Sequence, residues 1–198
     1  MSIVLVYRLA LSAALATGPF PQVPADPADP ACITMNTKNL PLATRQSPLD
    51  SVSFTVGGKA VKVCYGRPSL RGRKMLGGEA VPYGKLWRTG ANEPTMIHTT
   101  GPLTIAGLKV RAGSYSLYTV PGPTEWVIIV NRSITQWGEE SNYTEQVKGQ
   151  EIGRAKVKAE AASAPIETFT VRAEPAGSDA TALVLEWQTT RVRIPLSR

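Results

Sequence analysis

From Ser51 onward, apolar and polar positions alternate in short runs: Val52/Phe54/Val56, Val61/Val63/Tyr65, Met96/His98, Leu108/Val110, Tyr115/Leu117 and Trp126/Ile128/Val130. A period of two filled by β-branched and aromatic residues predicts strands with one buried face. Further runs over 156–160, 166–173, 182–187 and 191–196 raise the expectation to about ten short strands. Gly-Gly, Ala-Gly, Pro-Gly and Ala-Gly-Ser turn signals separate them. The predicted fold class is all-β, an antiparallel β-sandwich or barrel-like domain over 50–198. No amphipathic helix of useful length is expected after Ala16.

Two segments break this rhythm. The first is the N-terminus, where Ile3 to Ala16 is apolar except for Arg8 and Ser12. That is the texture of an export signal, and Ala14-Leu15-Ala16 offers small-x-small residues to a signal peptidase. The expectation for 1–17 is a signal peptide or membrane anchor. The region 18–49 is expected to be a Pro-rich tether and lead-in, because five prolines fall between Gly18 and Ala31. Extended polyproline geometry at about 3.1 Å per residue would let those fourteen residues reach roughly 40 Å. The second break is Gly66 to Glu93, a long connection without strand periodicity. Connections of that length inside a compact domain are either functional or packed as part of the fold.

Composition narrows the function classes. The chain has 198 residues, enough for one core and short for two, and a net charge of +7. Its basic residues are dispersed, with no Lys/Arg run longer than two, so no nucleic-acid partner is expected. The charge is better suited to an acidic protein surface or anionic headgroups. Cys32 and Cys64 exclude a disulfide-rich scaffold, and with a single histidine in the chain they make a structural zinc site an unsuitable reading. Pairing of the two, two unpaired thiols, and a lipid-bearing Cys32 all remain open.

The long connection carries Tyr65-Gly66-Arg67-Pro68, Gly72-Arg73 and Val81-Pro82-Tyr83-Gly84-x-x-Trp87-Arg88-Thr89-Gly90-Ala91-Asn92-Glu93. Ala112-Gly113-Ser114-Tyr115-Ser116-Leu117, Trp126, Asn131, Trp137-Gly138 and the C-terminal Leu-Glu-Trp and Val-Arg-Ile-Pro stretches follow. This pattern resembles a bacterial family of exported domains of unknown function, over about three quarters of the chain. The resemblance implies an export signal, a β-rich domain and a periplasmic or envelope setting. It implies no reaction.

Candidate chemistry gathers in the same segment. Arg67, Arg73 and Arg88 suit carboxylate or phosphate clamps, Glu93 an acid or base, Asn92 a polar contact, and His98 a proton carrier. The odd separation of Glu93 and His98 on an extended chain counts against a simple dyad. A structural role for the cluster, satisfying backbone polar groups and forming ion pairs, is the preferred expectation. Hydrolase elbow, phosphate-loop, zinc-protease and haem-attachment motifs are absent. The four tryptophans are expected in the core rather than against sugars.

Two functions follow as expectations. The first is a non-catalytic envelope accessory subunit that needs no cofactor, held to the membrane by its N-terminal segment and docked on the subunits of a larger membrane protein complex. A respiratory or photosynthetic electron-transfer complex is one host class. The alternative is a soluble periplasmic enzyme or binding protein that takes an anionic small molecule or glycan at the Arg/Glu-rich loop.

Overall fold

The structure is a computed structural model and describes residues 29–198. The expected anchor over 1–17 and the first part of the tether lie outside the described residues. Nine strands follow in chain order: β1 (Leu49–Val56), β2 (Lys59–Gly66), β3 (Thr95–Thr99), β4 (Leu103–Ile105), β5 (Leu108–Val110), β6 (Gly113–Val120), β7 (Glu125–Asn131), β8 (Glu151–Pro175) and β9 (Ala180–Ser197). They form one sheet in the order β1-β2-β3-β6-β7-β8-β9-β4-β5. Every described pairing is antiparallel. The all-β antiparallel architecture is the one that the alternation predicts.

Turn chemistry sets the hairpins. Gly57 and Gly58, at φ of 52° and 74°, join β1 to β2 in the two-residue geometry that matches strand twist. Ala106 and Gly107, at 49° and 85°, do the same between β4 and β5.

β8 is the element that makes a core from a sheet. Its first part pairs with β7 (Val157 opposite Trp126), and from Ala159 onward it pairs with β9 (Val171 opposite Leu185). The register slips twice between Ala161 and Thr170, and the strand bends there. The sheet therefore folds over on itself, with β1 and β5 left as its edges. The Val171 N–H donates to the Tyr65 hydroxyl of β2 at 3.1 Å, and the Thr181 hydroxyl of β9 donates to the Thr55 carbonyl of β1 at 3.3 Å. Between the facing surfaces lies a single core holding Val63, Ile97, Leu117, Ile128, Leu183 and Ile194, none of which is more than 1% exposed.

The outer face of β2, β3, β6 and β7 is also covered. One cover is the lead-in, residues 29–48, stapled by a disulfide between Cys32 and Cys64 with a Cα–Cα distance of 5.7 Å. The pairing question is thereby answered, and the alternatives of unpaired thiols and a lipid-bearing Cys32 fall away, because both sulfurs are consumed. The other cover is residues 132–150, which include the helix α1 (Glu145–Lys148), capped at its start by Thr144. There Tyr143 meets Tyr118 edge to face at 4.6 Å, and Asn131 donates to the Val147 carbonyl at 2.7 Å.

Candidate functional site

The connection between β2 and β3 is a built part of the domain. Trp87 is its anchor, exchanging backbone hydrogen bonds with Thr119 of β6 at 2.8 and 2.9 Å. Its ring stacks on Trp187 at 5.7 Å and meets Trp126 and Phe169 edge to face at 5.9 and 5.2 Å. Three of the four tryptophans are core residues, as expected; Trp137 is half-buried. Met75, Leu76 and Val81 are buried as well. The Met75 and Leu76 N–H groups both donate to the side-chain oxygen of Gln188 on β9.

Glycines bring the walls of this region together. A Cβ on Gly138 would lie 2.2 Å from the Asn92 carbonyl oxygen, and one on Gly66 would lie 2.1 Å from that of Ala91. Real Cβ atoms do not approach backbone oxygen so closely, so only glycine permits this contact. Two non-glycine residues of the wall, Thr89 and Asn92, sit at φ of 58° and 66°. A β-branched residue there is a true conformational outlier. Thr89 is held in place by its bond to the Thr119 hydroxyl at 3.0 Å and by the Thr95 hydroxyl, which donates to its carbonyl at 2.6 Å.

The six predicted site residues separate into two groups. Arg73, Arg88 and Asn92 line one groove of about 400 Å³, with Trp137 and Glu139 on its rim and Trp87 and Trp187 beneath. Arg88 is half-buried and weakly engaged, its Nη1 donating to the Asn92 carbonyl at 3.4 Å and its Nε lying 3.9 Å from Glu140. Arg73 is exposed and donates to the Leu70 and Ser69 carbonyls. Asn92 donates to the Ser47 carbonyl at 2.9 Å, which closes the groove toward the lead-in.

The other three lie elsewhere. Glu93 is buried and receives both Nη groups of Arg45, at 2.7 and 3.0 Å, and the Met35 N–H at 2.6 Å. Arg45 also donates to the Met35 and Leu40 carbonyls. A buried carboxylate that accepts three hydrogen bonds from the lead-in fastens that segment to the sheet. Arg67 pairs with Asp50 at 3.3 Å and donates to the Phe169 carbonyl, joining β1 to β8. His98 shares a hydrogen bond of 2.9 Å with Ser114, in a cavity of about 150 Å³ beneath the disulfide and away from the groove.

Sequence reasoning did not single out Arg45 or Glu139. Trp137 was visible only within the family-like pattern and as a presumed core residue. Arg45 had no local signal, since its partner is 48 positions away. Among the described residues no group of three or more His, Cys, Asp and Glu side chains is arranged to hold a metal ion.

No curated protein and no solved structure matches the chain. A family model described as "Protein of unknown function (DUF2911)" matches residues 47–196, from just before β1 almost to the end of β9. All nine strands, the connection between β2 and β3 and most of the groove lining fall within that match, Leu40 and Gln46 lying just before it, and the chain belongs to the DUF2911 family.

Proposed function

We propose that this protein is a non-catalytic accessory subunit on the periplasmic side of the inner membrane, tethered by its N-terminal segment and docked on a larger membrane protein assembly. The observation that carries this reading is the Cys32–Cys64 disulfide. A structural disulfide needs an oxidising compartment, which agrees with export. It also fixes the chain to β2, the second strand of the sheet, only about fifteen residues after the apolar stretch ends. A tether fastened so close to a rigid domain suits a subunit held at a set height above a membrane.

The fate of the predicted acid and base points the same way. Glu93 is occupied by Arg45, and His98 lies beneath the lead-in. Among the described residues only Leu42 and Tyr83 are large, exposed hydrophobic side chains. The docking surface is therefore polar, of the kind used by subunits that fold before they assemble. Respiratory and photosynthetic electron-transfer complexes are the hosts to test first.

The test is gentle detergent extraction of native membranes, followed by intact-mass measurement of the chain and of the proteins that travel with it. A full-length chain in fixed stoichiometry with a membrane complex supports the proposal. A processed, solitary, soluble domain overturns it.

A further inference from the structure

We infer that the groove between Arg73, Arg88, Asn92 and Trp137 is a binding site for an acidic saccharide, a sugar ring carrying an anionic group. Four observations meet there. The volume of about 400 Å³ falls in the range of small-molecule sites, about 300–1,000 Å³. Two guanidinium groups line it with donors to spare. Among the described residues Arg88 Nη2 and Arg73 Nη1 donate to no partner, and the bonds that Arg88 does make are long. Arg45, by contrast, uses all three of its nitrogens in four hydrogen bonds. A half-buried guanidinium with unspent donors is suited to bidentate capture of an oxyanion.

The third observation is strain. Thr89 and Asn92 hold left-handed backbone conformations on either side of Gly90, whose carbonyl is fixed by the Trp87 indole N–H at 3.1 Å. Conformations of this kind persist where surrounding bonds over-determine them, and they collect at ligand sites. The fourth is the chemistry of the rim. A bare anion would be repelled by Glu139, whereas sugar hydroxyls donate to that carboxylate, and a ring face packs against the half-buried indole of Trp137. Anion donors, a hydroxyl acceptor and an aromatic plane around one cavity describe a charged sugar better than a lipid tail or a simple ion.

This inference does not depend on the accessory-subunit reading, since the groove is formed within the domain. The two can fail separately, one in extraction and the other in titration.

The experiment uses the full chain in detergent micelles, titrated with D-glucuronate, glucose 6-phosphate and glucose, and followed by tryptophan fluorescence and by the indole N–H resonances. Saturable binding of at least one charged sugar, with glucose at least about tenfold weaker, is expected. Response to glucuronate assigns a carboxylated ligand, and response to glucose 6-phosphate a phosphorylated one. Arg88→Gln should weaken binding about tenfold. Arg73→Gln, at an exposed position, provides the same test if Arg88→Gln does not fold. Equal binding of glucose and the charged sugars, no binding of either charged sugar, or undiminished binding in the folded variants would overturn the inference.

Discussion

At the scale of single residues, the Arg45–Glu93 pair decides whether the lead-in stays on the sheet. Both side chains are almost completely removed from solvent, at 1% and 6% exposure. Removing one partner leaves a buried, uncompensated charge, so Arg45→Ala should lower the unfolding free energy by about 3–5 kcal/mol. The double variant Arg45→Met/Glu93→Leu should lose much less, and urea titrations of both distinguish pair energetics from shape. Tyr118 gives a pH signature. Burial pushes its hydroxyl up to about 12 from the ordinary value near 10, against a smaller opposing effect of its bond to Gln136. The folded state thus keeps a proton that the unfolded chain has released. The stabilisation is complete below pH 10 and is lost as pH rises through about 12. Tyr143, also pushed up mainly by burial, adds to the same loss. Melting temperature should fall between pH 10 and 12, and Tyr118→Phe should flatten that fall.

At the scale of elements, the glycine contacts of the groove are the most sensitive positions. Gly138→Ala forces a methyl group against the Asn92 carbonyl and should destabilise the domain by about 1–3 kcal/mol, read from denaturant midpoints. The groove should lose its ligand with it. Most strands were legible, because β-branched, leucine or aromatic residues recur at every second position along β1, β2, β6 and β7 and turn residues mark their ends, even where both faces are buried. The long strands were not. On β9 the core side chains fall on odd positions at Leu183, Leu185 and Trp187 and on even positions at Val192, Ile194 and Leu196. Gln188, at φ 54°, reverses the parity, so one strand reads as two runs. β8 is split in the same way by its register slips, and β4 goes unread although Leu103 and Ile105 flank Thr104 just as Leu108 and Val110 flank Lys109 in β5. Within the candidate site, Arg73, Arg88 and Asn92 were legible because they lie close together in one unusual segment. Glu139 and the engagement of Glu93 by Arg45 and Met35 were not, since both depend on contacts made by distant parts of the chain.

At the scale of the whole molecule, the net charge of +7 and the scarcity of exposed large apolar side chains among the described residues predict that the proposed docking is electrostatically steered. Association with native membranes, measured by sedimentation, should weaken as salt rises from about 0.05 to 0.5 M, where screening shortens to a few ångströms. The disulfide has a further consequence, which is mechanical. A pull on the N-terminus enters the domain at Cys64, within β2, and bypasses the whole of β1, which lies at the edge of the sheet. Without the bridge, the same pull would load the Arg45–Glu93 pair of the lead-in and then peel β1 away one hydrogen bond at a time. With it, β2 is loaded between two neighbours, and the intervening chain from 33 to 63 carries none of the force. The bridge thus turns an attachment that would unzip into one that must shear.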